Sequence, residues 1–132
     1  LAFKALDINL RVVGISPSPR DDAQAAAGHV ELAQECAQIL DLPLHFAPED
    51  FESYASFVGA DYGVVTEGSR EAIHLLARRE GLLLDPSYTG KAMSGLLAHI
   101  RAGWWQKGQT LIFVHTGGTP ALFAYADELG LD

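Results

Sequence analysis

The amino-acid sequence predicts an α/β protein, a three-layer αβα arrangement around a parallel sheet, and three observations carry that prediction. Short apolar runs alternate along the chain with longer segments whose apolar residues recur at helical spacing, the pattern of strands joined by crossover helices. Leu111 to His115 is one such run, too short for a helix, and it passes through Gly117-Gly118 into Thr119-Pro120, which reads as buried strand, tight turn and helix start. Asp85-Pro-Ser-Tyr-Thr-Gly-Lys91 follows another apolar run and opens another helix in the same manner.

Taken in order, Leu1 to Leu6 is helical in pattern, and Leu10 to Ile15 is a strand stopped by the prolines of Ser16-Pro-Ser-Pro19. Asp21 and Asp22 place acids at the positive end of a helix running to about Leu40, with Gln24 three residues after Asp21 as in a capping box. Ala26, Val30, Ala33 and Ala37, with Cys36 beside them, form its core-facing stripe. Phe46 to Tyr62 is aromatic and irregular and reads as a loop over a cleft. Gly68 to Glu80 is a helix with Ala72, Ile73, Leu76 and Ala77 on its inner face, and Gly81 to Leu84 is a short strand. Asp85 and Pro86 then cap a helix to about Ala102, buried along Met93, Leu96, Leu97 and Ile100. Trp104 and Trp105 lie in the link to the strand at 111–115, and a last helix covers Pro120 to about Leu129. The strands fall near residues 10–15, 81–84 and 111–115, and residues 1–132 read as a single domain.

Composition narrows the function. A net charge of -8 with no basic cluster argues against nucleic acid or an anionic membrane surface as partner, which leaves a small-molecule substrate. Cys36 is the only cysteine, so no disulfide framework exists, which suits a reducing, cytoplasmic setting. No apolar run reaches transmembrane length. His29, His45, His74, His99 and His115 show neither an i, i+4 pair nor H-E-x-x-H spacing, which argues against a zinc site.

In a parallel sheet both strand-to-helix turns lie on one edge, where ligands of open α/β sheets bind. Tyr88, Thr89 and Thr116 are thereby placed around one crevice, with Tyr62, on a loop flanked by Gly59 and Gly63, able to close over it. Each has a plainer alternative: the glycine pair as a simple chain reversal, Tyr88 as a tyrosine packed at a helix start, Tyr62 as a loop residue, His115 as a packed strand-end histidine.

The run Glu67-Gly68, Glu80-Gly-Leu-Leu-Leu-Asp-Pro-Ser-Tyr-Thr-Gly-Lys-Ala-Met93, Phe113-Val-His-Thr-Gly-Gly-Thr-Pro-Ala-Leu122 and Tyr125 resembles the C-terminal part of the D-cysteine desulfhydrase and 1-aminocyclopropane-1-carboxylate deaminase family. The resemblance implies a pyridoxal 5'-phosphate enzyme of tryptophan-synthase-β-like fold, a small amino-acid substrate and a homodimer. It implies that Tyr62 and Tyr88 are the catalytic tyrosines facing cofactor and substrate, that Thr116 stands beside the pyridine nitrogen, and that Gly117 shapes that wall with Thr89 next to Tyr88. Thr89 and Thr116 resemble the desulfhydrase branch, since the deaminase branch carries an acid and an apolar residue there. D-cysteine is therefore expected ahead of the cyclopropane amino acid.

The chain departs from the family in one large respect. The N-terminal half that supplies the Schiff-base lysine, a serine and the glycine-rich phosphate loop has no counterpart among its motifs, and its lysines are Lys4, Lys91 and Lys107 alone. The expectation is a C-terminal half of the cofactor domain, inactive alone, with Lys91 in a structural, dipole-related or exposed role rather than as the Schiff base. A reading from another class is a non-catalytic α/β ligand-binding or interaction domain.

Overall fold

The computed structural model describes residues 1–131, with the side chain of Asp22 outside the described residues. They group into two compact units, Leu1–Gly14 with Arg20–Tyr54, and Ile15–Pro19 with Ala55 onward.

In the first unit, α1 (Ala2–Ala5) precedes β1 (Val13–Ile15), whose last residue is counted with the second unit. Helix α2 (Asp22–Ile39) starts where the sequence places it, because the Asp21 carboxylate accepts from the N–H groups of Ala23 at 2.9 Å and Gln24 at 3.2 Å. Its buried stripe is Ala25, Ala33 and Ala37, with Ala26, Val30 and Cys36 half-buried. A 3-10 turn, Pro48–Asp50, leads to β2 (Glu52–Tyr54), which pairs in parallel with β1. Glu52 receives Arg11 through both of its oxygens, at 2.6 and 2.8 Å. This strand lies where the sequence suggested only loop; three residues among aromatics give too short a period for the pattern to register.

In the second unit, α3 (Glu67–Glu80) opens on a reciprocal cap: the Thr66 hydroxyl accepts from Ser69 N–H at 3.1 Å and the Ser69 hydroxyl from Thr66 N–H at 2.9 Å. Gly81 closes it in the left-handed conformation, φ 67°. Helix α4 (Thr89–Arg101) packs beside it at small residues; an added Cβ on Gly68 would lie 3.3 Å from that of Ser94. Ala72, Ile73, Leu84, Met93, Leu122 and Leu129 form the core between these helices and the C-terminal segment. Full burial of each larger side chain is worth about 1.5–3 kcal/mol. The C-terminal segment is a 3-10 stretch, Thr119–Tyr125, followed by α5 (Ala126–Leu129). Arg70 ties it to α3 by donating to the Glu128 carbonyl at 2.9 and 3.1 Å, and the His74 ring meets the Leu129 carbonyl at 2.7 Å.

Three expectations are corrected here. Among the described residues, 81–84 and 111–115 carry no ladder, since a strand needs a partner edge as well as an apolar run. Leu82, Leu83, Leu111, Ile112 and Val114 stand open, with Ile112 76% and Val114 72% exposed, whereas Leu84 is buried in the core and Phe113 packs against it. The last helix is 3-10 in its first seven residues and α only at its end. The buried face of α4 is also rotated: Ile100 is exposed while Lys91, Ser94, Gly95 and His99 are buried. Close packing drives this, because a Cβ on Gly95 would come within 2.6 Å of Ile15 and 3.3 Å of Phe57. His99 in turn stacks on Trp104 with ring centroids 3.6 Å apart, so the tryptophan link packs on α4.

Candidate active site

The site is built around one buried carboxylate. Asp85, 1% exposed, precedes Pro86, which cannot donate, and its side chain collects the N–H groups that follow. Its Oδ2 accepts from Ser87 and Tyr88, both at 2.8 Å, and its Oδ1 from Thr89 N–H at 2.7 Å and the Thr89 hydroxyl at 2.6 Å. That hydroxyl accepts from Asp85 N–H at 2.8 Å, so the two residues lock each other. Burial pushes the Asp85 carboxyl up, but the hydrogen bonds from Thr89, Tyr88 and Ser87 outweigh it and hold the group below its usual value. Gly90 completes the turn: its N–H donates to the Asp85 carbonyl at 2.8 Å, and a Cβ there would lie 2.6 Å from that oxygen.

The second turn rests on the first. Gly117 and Gly118 have φ of 102° and 86°, values that side chains strain to reach, and a Cβ on Gly118 would fall 2.6 Å from the Asp85 carboxyl carbon. The His115 ring meets the Leu83 carbonyl at 2.9 Å, joining the approaches to both turns, and accepts Gly117 N–H at 3.1 Å. Both turns therefore share one side of the unit, with Thr116 exposed between them.

Tyr62 and Tyr88 meet there. Their hydroxyls hydrogen-bond to each other, the rings lie edge to face with centroids 5.9 Å apart, and both residues are about half exposed. The bond to Tyr88 pushes the Tyr62 phenol above its ordinary value, as do burial and the nearby Tyr125 and Asp85. Tyr62 is thus a group that keeps its proton. The structure joins the Tyr62 and Tyr88 hydroxyls and packs Gly118 on Asp85, with Thr116 exposed at the approach to that turn, whereas Thr89 is buried with its hydroxyl spent on Asp85.

Asp85 as the organiser and the burial of Lys91 were not foreseen in those roles. The Asp-Pro step signalled a helix beginning at Pro86, whereas α4 begins at Thr89 with Tyr88 at its N-cap and Asp85 bonds the turn before it; nothing local signals a buried lysine, a residue type almost never fully buried unless paired. A separate cavity of about 380 Å³, lined by Ser56, Thr66, Glu67, Ser94, Leu97 and Arg101 among others, opens between α3 and α4 and includes neither tyrosine nor Thr116. Among the described residues no group of three potential metal ligands forms, and no helix is long and apolar enough to cross a membrane.

The fold and these two turns can be set beside known proteins: residues 1–117 match the family model described as pyridoxal-phosphate dependent enzyme, and the chain belongs to that family. It is 36% identical over 116 residues to a 1-aminocyclopropane-1-carboxylate deaminase of Ralstonia nicotianae, covering 88% of this chain and 34% of that protein. It is 38% identical to the enzyme of the same name from Variovorax paradoxus, with the same coverage of each. The solved structure of an ACC deaminase homologue superposes with a TM-score of 0.78 at 31% identity, over 96% of this chain and 37% of the other, so the fold is the α/β fold of that enzyme class. The chain spans about one third of the length of the curated relatives it matches.

The exposed hydroxyl of Thr116, the tyrosine pair and the glycine turns fit one wall around the planar aromatic ring of the family's cofactor. Lys91 does not fit as its covalent anchor, because it is fully buried with its ammonium on the Asp61 carbonyl at 3.3 Å.

Proposed function

We propose that residues 1–132 form the C-terminal part of the cofactor domain of a pyridoxal-phosphate-dependent enzyme that deaminates a small amino acid. The observation that carries this reading is the Tyr62–Tyr88 hydroxyl pair set beside the Gly117–Gly118 turn on Asp85. When bound, the cofactor supplies the electron sink for charge left on the substrate's Cα. Thr116 would offer the ring nitrogen a neutral hydroxyl, which would not force that nitrogen to be protonated. Gly117 would let the backbone approach the ring, and Thr89 holds Tyr88 in place through Asp85. Of the two phenol protons, one occupies the bond between the rings and the other is presented to whatever lies over the pair. A phenol proton held over the pair could be given to a substrate carboxylate or leaving group.

The names of the relatives favour the cyclopropane amino acid as substrate, ahead of the D-cysteine that the sequence put first. D-cysteine stays as the second reading for a structural reason. Thr89 both donates to and accepts from Asp85, a role an acid at that position could not fill and one that like charges would oppose. The open apolar residues of 82–83 and 111–114 support pairing with strands outside residues 1–132, and the chain alone is then expected to be inactive. The test is to supply the longest natural polypeptide carrying these residues with each amino acid and measure products. The reading expects 2-oxobutanoate and ammonia from the cyclopropane substrate; pyruvate with sulfide as the faster reaction reverses the order. Neither product from either substrate favours a non-catalytic binding domain.

A further inference from the structure

Lys91 is a buried cation to which the reading above gives no task. It is 0% exposed and sits in the first turn of α4, where the helix dipole disfavours positive charge. Burial pulls its ammonium below the ordinary lysine value, against the attraction of the Asp61 carboxylate. Its hydrogen bond goes to the Asp61 carbonyl at 3.3 Å, and that oxygen also accepts Val64 N–H at 3.4 Å. The second bond closes a turn, Asp61-Tyr62-Gly63-Val64, whose third residue has φ 76°, the left-handed value a type II turn requires there. The Asp61 carboxylate accepts Tyr62 N–H at 2.6 Å, fixing the entry to the turn from its other side. Under the turn lies Tyr125, whose hydroxyl would stand 3.1 Å from a Cβ on Gly63. Lys91 therefore reaches from the helix that begins after Tyr88 to the turn that presents Tyr62.

We infer that Lys91 is a positioning residue: its ammonium ties the Tyr62 turn to the first turn of α4 and so holds the Tyr62 hydroxyl on that of Tyr88. The inference deepens the proposed site and takes its functional meaning from it, but it is read on the tyrosines themselves and not on turnover.

The full 132-residue chain labelled with 13Cζ-tyrosine gives four phenol carbons at neutral pH, those of Tyr54, Tyr62, Tyr88 and Tyr125, assigned by single replacement with phenylalanine. In Tyr88→Phe the Tyr62 signal should move to that of a phenol bonded to water. Lys91→Met, which keeps the side chain's length and removes the donor, should move it by the same amount with the far-ultraviolet circular dichroism unchanged, and Lys91→Arg should restore part of the shift. A Tyr62 signal that moves in Tyr88→Phe and stays in Lys91→Met overturns the tether and leaves the site standing; a signal that stays in both removes the pair and the tether together. If Lys91→Met loses its helical signal, the wild-type 15Nζ spectrum decides. One protected ammonium among the three lysines, with a cross-peak to the Tyr62 or Val64 amide, is expected, and three equally exchanging ones overturn the inference.

Discussion

Replacing Asp85 with asparagine removes charge from the most heavily hydrogen-bonded side chain of the site while keeping its shape. The carboxylate takes four hydrogen bonds, two on each oxygen. Asparagine retains one acceptor and turns an NH2 group toward donors, so two of the four are lost. Bonds to a charged group are worth about 1.5–3 kcal/mol each. The expected loss is thus at least about 3 kcal/mol, which at a urea slope of about 1–3 kcal/mol/M lowers the midpoint by about 1–3 M. The assay is urea unfolding followed by the fluorescence of Trp104 and Trp105, in wild type and variant, across pH. The Asp85 carboxyl lies below its usual value when folded, so its contribution is complete above the usual value and is lost as pH falls through the lower, folded one. The gap between wild type and variant should be widest near neutrality and close in acid. A variant within about 0.5 kcal/mol of wild type at neutral pH, the range of ordinary surface changes, or a gap that does not narrow in acid, would refute the assignment of Asp85 as the organiser.

Three further substitutions test the geometry. Gly118→Ala places a Cβ 2.6 Å from the Asp85 carboxyl carbon at a left-handed φ, and should cost about 3 kcal/mol in the same unfolding assay. Gly63→Ala strains the turn that carries Tyr62 and crowds the Tyr125 hydroxyl; a loss of about 1–2 kcal/mol, part of it regained in Gly63→Ala with Tyr125→Phe, is expected, and no regain would put Tyr125 elsewhere. Thr66→Ala leaves Ser69 N–H without its cap and should lower stability by about 1 kcal/mol, while Thr66→Ser should be near neutral.

Helices and caps were the legible part of this sequence because their chemistry is local. Asp21 caps α2 within three residues of itself, and Ala72 and Ile73 face the core as their spacing says. Strands were legible only as apolar runs: Leu111 to His115 and Gly81 to Leu84 have the composition of buried strands, but a ladder depends on a neighbour that composition cannot supply. The α4 face was misjudged at Ile100 for a related reason, since Gly95 against Ile15 and Phe57 sets the helix's rotation, and glycine carries no hydrophobic signal. At the site, residue spacing could suggest that the turns bearing Tyr88 and Thr116 share an edge. It could not say that the Tyr62 hydroxyl, 26 residues from Tyr88, meets its partner, nor that Lys91 is buried.

Under the proposed function Tyr62, Tyr88 and Thr116 face bound pyridoxal phosphate, and the absorption spectrum of that cofactor reads this out. In the longest natural polypeptide that carries these residues, Thr116→Val replaces the exposed hydroxyl by a methyl group of the same shape. The variant is expected to bind the cofactor at wild-type stoichiometry while its visible band moves, because the ring nitrogen would lose the hydrogen-bond partner that Thr116 would supply. A spectrum superimposable on that of the wild type, with full occupancy, would contradict it.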